Sequence, residues 1–368
     1  MTTFRNILTA AMLATAALTA TAQTNGSNSP YSRYGFGLLG DGGNAFNKGM
    51  AGTAYGMRNG TQINSKNPAS YSATDSLSFL FDVGMTLQNG NFKQGSAKTN
   101  AHNTSVDYVN AAFRLAPRLG MSVGLMPFST VGYQTSSEET IKNGFEEVVQ
   151  TNKFSGDGGL HEAYVGLGWA PIKPLSLGFN VGYLWGELSH TVLMSFDDAN
   201  IHSTRQAYDA DVRTFKANFG LQYEQKLNAK HTLTLGVVYG LGHDVNRNAH
   251  YYNQKVGTTG VTGGDTLTCA NAFALPHTFG VGLTWSFNNQ LRVGVDYTLQ
   301  KWADVKYPTV VTDAYGTPSY ITGKGLFKDM HQVSLGAEYV KNPETTKMRM
   351  FYETMEDVLP GMKIVIDN

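Results

Sequence analysis

The chain has 368 residues, and Lys plus Arg balance Asp plus Glu at 28 each, so that the formal net charge is zero. This balance gives no indication of a nucleic-acid or acidic-membrane partner. Charged residues make up 15% of the chain, against about 25% in ordinary soluble domains. Glycine (41), tyrosine (19) and phenylalanine (19) are abundant. The composition therefore favours a β-protein that contacts lipid.

The amino terminus has the pattern of a secretory signal. Arg5 precedes an apolar run over residues 7–18, which ends in the small residues of 20–22. This run is too short for a transmembrane helix, which needs about 20 mainly apolar residues. We therefore predict a cleaved signal peptide over residues 1–22 and a mature chain that begins at Gln23. No cysteine lies near the cleavage site, so we expect the fold itself to provide the membrane anchor.

Apolar and polar residues alternate with a period of two in a series of segments from residue 76 onward, as in strands whose two faces meet different surroundings. The clearest example places Leu291, Val293, Val295, Tyr297 and Leu299 on one face, and Arg292, Gly294, Asp296, Thr298 and Gln300 on the other. Ten such segments are readable, and 347–354 is a possible eleventh. The pattern predicts an all-β fold of about 10–12 strands over residues 76–355.

The connections between these segments distinguish a membrane barrel from a soluble β-sandwich, which also alternates. Short turns are expected at 116–118, 172–174, 228–230, 288–289 and 342–343. Long polar connections are expected at about 90–103, 134–158, 196–205, 244–273 and 305–327. Short and long connections alternate, as in an up-and-down outer-membrane barrel with short periplasmic turns and long outside loops. We therefore predict a transmembrane antiparallel β-barrel in the outer membrane, with its amino terminus on the periplasmic side.

The stretch from 23 to 75 lacks the alternation and is rich in Gly, Asn and Ser. It is compatible with a disordered periplasmic tail. It also carries many buriable side chains, namely Tyr31, Tyr34, Phe36, Leu38, Leu39, Phe46, Met50, Tyr55 and Met57. These side chains favour an ordered plug, which we predict over residues 23–75.

Three pieces of this stretch carry a family resemblance. They read Tyr31-Ser32-Arg33-Tyr34-Gly35-Phe36-Gly37, Asn47-Lys48-Gly49-Met50-Ala51-Gly52-Thr53-Ala54 and Asn67-Pro68-Ala69-Ser70-Tyr71. The chain resembles FadL-type outer-membrane transporters, and it is most similar to the branch of that family found in Bacteroidetes-type bacteria. The resemblance implies a monomeric, fourteen-stranded barrel that is plugged by an amino-terminal hatch. It also implies passage of fatty acids or other hydrophobic compounds by diffusion.

A proline lies within the third predicted strand, 119–129. Proline cannot donate to a strand ladder, so Pro127 should interrupt pairing and could open a gap between neighbouring strands. The family resemblance similarly implies an inward kink of the third strand and a lateral exit through the wall. We expect Pro127, Phe128 and Ser129 to line this exit, with Asn67, Pro68 and Ala69 packed opposite. In the alternative, Pro127 merely ends the strand at the outer rim.

Catalytic and metal-binding patterns are weak in this sequence. His161-Glu162 and His243-Asp244 are adjacent pairs on strands, where neighbours point to opposite faces, so neither pair forms a ready dyad or chelate. We predict no enzyme activity, no cofactor and no metal site. Charges expected in the lumen could orient a carboxylate head group, although a water-filled barrel normally has such charges; they are Arg292, Asp296, Lys216 and Glu224.

The carboxyl-terminal stretch 356–368 is predicted to be an irregular tail and does not look like a barrel strand. Three explanations remain open: a truncated product, a smaller barrel of ten to twelve strands, or strands supplied from elsewhere. The predicted function is an outer-membrane channel for hydrophobic compounds such as long-chain fatty acids, by a monomer that contacts outer-membrane lipid. The alternatives are a binding or assembly barrel in a secretion or uptake complex, and a structural barrel without transport.

Overall fold

A computed structural model describes residues 29–76, 79–95, 97–143, 146–198, 201–257, 260–312, 318–342 and 346–348. The predicted signal peptide (1–22) and the predicted tail (356–368) lie outside the described residues. Residues 23–28 of the predicted hatch and 349–355 of the predicted barrel also lie outside them.

Antiparallel strands make up most of the described chain. In chain order they are β1 (Leu38–Leu39), β2 (Phe79–Gln94), β3 (Ala97–Ala116), β4 (Leu119–Asn143), β5 (Glu146–Trp169), β6 (Leu175–Phe196), β7 (Ser203–Lys226), β8 (His231–Gly240), β9 (His243–Val245), β10 (Ala249–Gly257), β11 (Gly260–Cys269), β12 (Phe273–Leu275), β13 (Thr278–Phe287), β14 (Leu291–Gln300), β15 (Tyr307–Thr312), β16 (Pro318–Gly323), β17 (Met330–Asn342) and β18 (Thr346–Met348). The helices are α1 (Ala45–Gly49) and three 3₁₀ helices, Pro30–Arg33, Pro68–Ala73 and Trp302–Asp304. In the described part of the chain, no helix has the length and apolar character needed to cross a membrane.

One large sheet forms a curved wall. Its strands follow the order β18-β17-β14-β13-β8-β7-β6-β5-β4-β3-β2. Two separate two-stranded sheets, β9 with β12 and β15 with β16, belong to the connections between wall strands. Each wall strand therefore pairs with the wall strands before and after it in the chain, which confirms the predicted all-β, antiparallel, up-and-down class. The possible eleventh strand begins as predicted, because Thr346 pairs with Asn342 and Met348 with Tyr339. Among the described residues, the end strands β2 and β18 do not pair with each other.

The two faces of the wall are inverted relative to a soluble protein. Large apolar side chains are exposed on one face, including Phe81 (53%), Phe179 (41%) and Val237 (42%). Polar side chains on the other face are buried; they include Asn180, Gln222, Thr234, Thr284, Asp296 and Thr298. The period-two alternation of the sequence thus corresponds to an apolar outer face and a polar inner face, as in transmembrane barrels.

The predicted long connections do join the wall strands, but most of their described length is paired strand. β4 and β5 remain paired from Leu119 with Trp169 out to Asn143 with Glu146. The polar stretch over 134–158 therefore continues the wall as a hairpin, and β10 and β11 extend this sheet beside β7. The sequence was misleading here because a strand with water on both faces does not need alternating apolar residues. Short turns are confirmed at 116–118, 172–174, 228–230 and 288–289, at the other ends of the strands, and the turn predicted at 342–343 lies partly outside the described residues.

The described part of the predicted plug, residues 29–76, packs against the inner face of the wall; we call it the N-terminal segment. It bonds to wall strands far apart in the sheet: the Tyr108 hydroxyl of β3 accepts from Ala45 N, Asn180 of β6 donates to Ser65 O, and Asp296 of β14 accepts from Ala54 N. A segment that reaches all of these strands from their inner faces lies within the curve of the sheet.

Candidate functional site

Asn67 anchors the turn that begins the 3₁₀ helix Pro68–Ala73. Its side-chain oxygen accepts a hydrogen bond from Ala69 N at 3.2 Å and thereby caps the helix. Its Nδ2 donates to the carbonyl oxygen of Tyr55 at 2.8 Å and to that of Leu221 on β7 at 3.3 Å. One side chain therefore holds together two parts of the N-terminal segment and a wall strand.

The wall accommodates this turn on four glycines that lie side by side on β4 to β7; we call them the glycine row (Gly120, Gly168, Gly178 and Gly220). A Cβ added at Gly178 would lie 2.5 Å from the backbone nitrogen of Ala69, and one at Gly220 would lie 2.8 Å from Pro68 Cδ. Only glycine lets the two backbones approach this closely. The sequence did not identify the glycine row as the surface that the turn contacts, although each of these glycines lies within several residues of a short turn.

The wall opens beside Pro127. Pairing between β3 and β4 is last seen at Val109 with Leu125, whereas β3 continues beside β2 and β4 continues beside β5. The β4–β5 register shifts between Pro127 and Ser129, so Phe128 is an extra residue at a bulge. The strand is thus interrupted on both of its sides at the proline, and a gap separates β3 from β4 from this level outward.

The N-terminal segment pairs with the part of β4 that β3 leaves free. Leu38 pairs with Thr130 and Leu39 with Ser129, and the N–H of Gly40 donates to the carbonyl oxygen of Phe128 at 2.8 Å. The partners of Pro127, Phe128 and Ser129 in the N-terminal segment are therefore Leu38, Leu39 and Gly40.

The two predicted triplets of site residues are not brought together. Asn67, Pro68 and Ala69 lie on the glycine row at the level of Gly120, whereas Pro127 lies seven residues further along β4. At about 3.3 Å per residue, this separates them by about 23 Å along the strand. The expectation that Asn67, Pro68 and Ala69 pack opposite Pro127 is corrected accordingly. The two triplets lie apart because of their positions along β4, and the sequence does not show which level of β4 the turn at Asn67 contacts.

A cavity of about 760 Å³ lies between the N-terminal segment and the wall, and Pro127 and Phe128 line it. Its other apolar lining residues include Leu38, Leu39, Met126, Leu241, Leu275 and Trp302. The lining also contains neutral polar side chains: Asn218, Thr278, Thr298, Gln300 and Gln332. The volume lies within the range of drug-sized ligand sites, about 300–1,000 Å³. The cavity can therefore take an apolar molecule that carries hydrogen-bonding groups.

Four charged side chains line the cavity, and they form two ion pairs. Lys216 Nζ lies 2.6 Å from a carboxylate oxygen of Glu162, and Lys66 Nζ lies 2.8 Å from one of Asp41. The Lys216 ammonium also lies 5.4 Å from the centre of the Phe128 ring, a cation–π arrangement. Each positive charge in the lining is thus matched by a negative one.

The other predicted lumen charges hold the N-terminal segment or pair within the wall. Asp296 accepts hydrogen bonds from Ala54 N at 2.6 Å and Tyr55 N at 2.9 Å. Glu224 lies 3.9 Å from Arg58, and Arg292 lies 3.0 Å from Glu338. Of the predicted set, only Lys216 lines the cavity.

An aromatic cluster closes the outer end of the N-terminal segment. Phe36 packs against Phe273, Trp302 and Tyr307, with ring centres 5.7–6.1 Å apart. The Tyr307 hydroxyl donates to the carbonyl oxygen of Gly35 at 2.9 Å, and burial raises the pKa of Tyr307 to about 12. Phe273 and Tyr307 come from connections that the sequence presented only as polar loops, so no signal marked them, whereas Phe36 is one of the side chains that favoured an ordered plug.

The first histidine pair, His161 with Glu162, lies on the wall strand β5, and the second, His243 with Asp244, lies on β9 in a connection. His161 pairs across the ladder with Pro127 and packs against Trp185, with ring centres 6.0 Å apart, while Glu162 points to the cavity. His243 Nε2 lies 2.8 Å from the Thr214 hydroxyl. Adjacent residues on these strands face opposite sides, as expected.

Comparison with known proteins finds one family model and several solved structures that are similar to this chain. A family model described as BamG matches residues 3–354. The toluene transporter TbuX of Ralstonia pickettii has a TM-score of 0.54 at 16% identity, over 82% of this chain and 83% of that one. The toluene transporter TodX of Pseudomonas putida also has 0.54 at 16% identity, over 83% and 82%.

A FadL homologue of Pseudomonas aeruginosa has a TM-score of 0.50 at 11% identity, over 83% of this chain and 78% of that one. No curated protein sequence matches the chain. At these identities the likeness concerns the fold. The fold is that of a FadL-type β-barrel, which confirms the resemblance and the predicted fold class; the Bacteroidetes branch stays a prediction.

Proposed function

We propose that this chain, which belongs to the BamG family, is an outer-membrane channel for hydrophobic compounds, because it shares its fold with channels of that kind and its sheet is apolar on the outside. Exposed apolar strands are costly in water and stable in lipid, which supports a membrane location. In this proposal the short turns lie in the periplasm and the long hairpins outside. The domains are a cleaved signal peptide (1–22), a hatch (23–75), a barrel (76–355) and a tail (356–368).

The observation that carries the proposal is the cavity beside the gap at Pro127. The cavity reaches Leu38 and Leu39 on one side of β4, where β3 no longer pairs. An apolar compound gains about 0.8 kcal/mol for each CH₂ group that it moves from water into hydrocarbon. We propose that such a compound leaves the cavity through this gap into the lipid layer, past the N-terminal segment acting as a hatch.

The printed descriptions of the structural neighbours agree with this kind of cargo. TbuX and TodX are described as toluene transporters, and TodX also as a monoaromatic hydrocarbon channel. Long-chain fatty acids are a further class that the family resemblance implies. The proposal covers hydrophobic compounds as a class, with the barrel acting as a monomer in outer-membrane lipid.

Uptake into proteoliposomes tests the proposal. Pro127→Ala supplies the missing backbone N–H, and we expect it to allow pairing at the gap and to reduce uptake of toluene and of a long-chain fatty acid. Pro117→Ala, at the short turn between β3 and β4 and outside the cavity lining, is the matched control and should leave uptake near wild type. Uptake that is unchanged by Pro127→Ala contradicts the gap route, and a wild type that takes up neither compound contradicts the channel.

A second candidate function is a binding or assembly barrel, and the strand extensions favour it. Beyond the barrel, β4, β5, β6, β7, β10 and β11 continue as one sheet, and the described part of β11 has only β10 as a strand partner. Such an edge presents backbone groups that another chain could pair with. A photo-crosslinking amino acid at Val261, which is 58% exposed on β11, tests this function. A defined protein adduct in cells, absent with the same probe at Val237 on the wall, would support it.

A further inference from the structure

The cavity lining contains apolar side chains and two ion pairs of zero net charge, and these features limit the kind of ligand that the cavity can bind. We propose that the cavity selects uncharged amphiphiles, with an alcohol, ester or amide head group, over fatty-acid anions of the same chain length. This inference rests on the proposed channel function and narrows its cargo.

The first argument is the pairing of the charges. Glu162 is 4% exposed in its side chain and Lys216 is 26% exposed, and their charged atoms lie 2.6 Å apart. A carboxylate bound at Lys216 would share the ammonium group with Glu162, since an ammonium group has three N–H donors. Two carboxylates would then face one cation in a place with little water, and like charges held this close disfavour each other.

The second ion pair in the lining, Lys66 with Asp41, also leaves no unmatched positive charge for an anion. Lys66 is 14% exposed in its side chain and is held by Asp41 at 2.8 Å. It also donates to the carbonyl oxygen of Gly52 at 3.1 Å. Each ammonium group of the cavity lining is thus already neutralised by a carboxylate, so an anion bound there would bring an unmatched negative charge into the site.

The third argument is a row of neutral groups on the wall. Asn218, Gly240, Thr278, Gln300 and Met330 are direct neighbours across β7, β8, β13, β14 and β17, and all of them line the cavity. The side chains of Asn218 and Thr278 form no hydrogen bond with other described residues. Gly240 between them carries no side chain, so a ligand group can approach both. An amide and a hydroxyl both donate and accept, which suits an alcohol or a carbonyl group.

The apolar part of such an amphiphile can contact the apolar residues of the lining. Leu38, Leu39, Met126 and Phe128 lie together at the gap and in the cavity lining. A molecule with its neutral head at Asn218 and Thr278 could therefore extend its chain toward the opening in the wall. Its binding would leave both ion pairs intact.

A competition experiment tests the inference. Purified protein is mixed at pH 8 with equal concentrations of dodecan-1-ol and dodecanoate, and the bound ratio is measured by mass spectrometry. We expect the alcohol to be preferred by at least about tenfold, since tenfold corresponds to about 1.4 kcal/mol and an unmatched buried charge costs more than that.

Glu162→Gln frees Lys216, and we expect it to shift the ratio toward dodecanoate by about tenfold or more. The double variant Glu162→Gln with Lys216→Gln removes both charges and should restore the alcohol preference, which also shows that the site still folds. Glu338→Gln is the matched control: it removes the acidic partner of Arg292 outside the cavity lining and should leave the ratio unchanged.

Equal or stronger binding of dodecanoate by the wild type overturns the inference, and so does a ratio that Glu162→Gln does not change. Both results leave the channel proposal intact, because a ligand has bound. If folded wild-type protein binds neither compound, the channel proposal itself fails, and the inference falls with it.

Discussion

The carboxylate of Asp296 on β14 accepts a hydrogen bond from the backbone N–H of Tyr55 at 2.9 Å, and the N–H of Ala54 donates to the same oxygen at 2.6 Å. Asp296 is 3% exposed, so these are charge-assisted bonds in a buried place. They connect the N-terminal segment to the wall at a point 241 residues away in the chain.

Asp296→Ala should therefore loosen the N-terminal segment. Two buried N–H groups would lose their acceptor, at a cost of about 2–5 kcal/mol. We expect amide hydrogen exchange at Ala54 and Tyr55 to become faster by at least about thirtyfold. Asp211→Ala, at a surface ion pair with a side chain that is 45% exposed, should leave exchange at these amides unchanged. Unchanged protection in Asp296→Ala would show that the segment is held by other contacts alone.

The glycine row predicts a steric effect. Gly178→Val places two methyl groups where Pro68 and Ala69 lie, and overpacking of this kind costs about 1–3 kcal/mol. Gly263→Val on β11 is the matched control, because a Cβ at Gly263 has no atom within 4 Å. Urea unfolding in lipid vesicles measures both variants. Equal stability of the two would mean that the turn at Asn67 can move away from the wall without loss.

Side chains on the outer face should be sensitive to charge. Leu235 lies at the middle of β8 and is 40% exposed, so Leu235→Arg would place a charge in hydrocarbon at a cost of about 2–4 kcal/mol. Val261→Arg, on the extension outside the barrel, should have little effect. We expect the first variant to fold less efficiently into vesicles, as measured by protease protection. Similar yields would contradict the placement of this face in lipid.

His190, on the part of β6 beyond the barrel, predicts a dependence on pH. Burial, together with the charge of Arg33, lowers the pKa of His190 to about 4, while Asp209 acts in the opposite direction. In the unfolded chain the pKa is near 6.5, so between pH 6.5 and 4 the unfolded chain binds a proton that the folded chain does not. Stability of this region is then lost as the pH falls through that window.

We expect amide exchange in the outer part of β6 to become faster, relative to its intrinsic rate, between pH 7 and pH 4.5. His190→Gln cannot be protonated and should reduce this change, whereas His102→Gln on β3 should not. The Tyr133 hydroxyl, 3.0 Å from Nδ1, supports the neutral ring, since it can donate to that nitrogen. A pH effect of the same size in His190→Gln would assign the change to other groups.

The wall was predictable because lipid and lumen impose opposite demands on successive residues. Leu291 to Leu299 alternate with Arg292 to Gln300, and the structure places the first set outward and the second inward. The extension of β4 from Gln134 to Asn143 was not predictable from this signal, since both of its faces meet water. Pro127 marked the interruption of pairing correctly because a missing N–H is a local property of the chain.

The cavity could not be predicted from the sequence to the same extent. Its polar row combines residues from five strands, and only the register brings Asn218, Thr278 and Gln300 to one level. The partner of Lys216 was missed for the same reason, because Glu162 lies two strands away on β5. The Asn67-Pro68-Ala69 turn was recognised, but its seat depends on glycines from four different strands.

The strand Leu38–Leu39 has a consequence for how the molecule is assembled. From Phe128 to Thr130, β4 obtains its inner-edge hydrogen bonds from Leu38, Leu39 and Gly40, because β3 has already turned away. Without this strand, polar backbone groups of the wall would be left without partners beside the lipid layer, each at a cost of several kcal/mol. The wall strands alone therefore do not make an insulated structure at this level. We therefore expect insertion into the membrane and docking of the N-terminal segment to be coupled, so that a chain deprived of Leu38–Gly40 would stall before the barrel is complete.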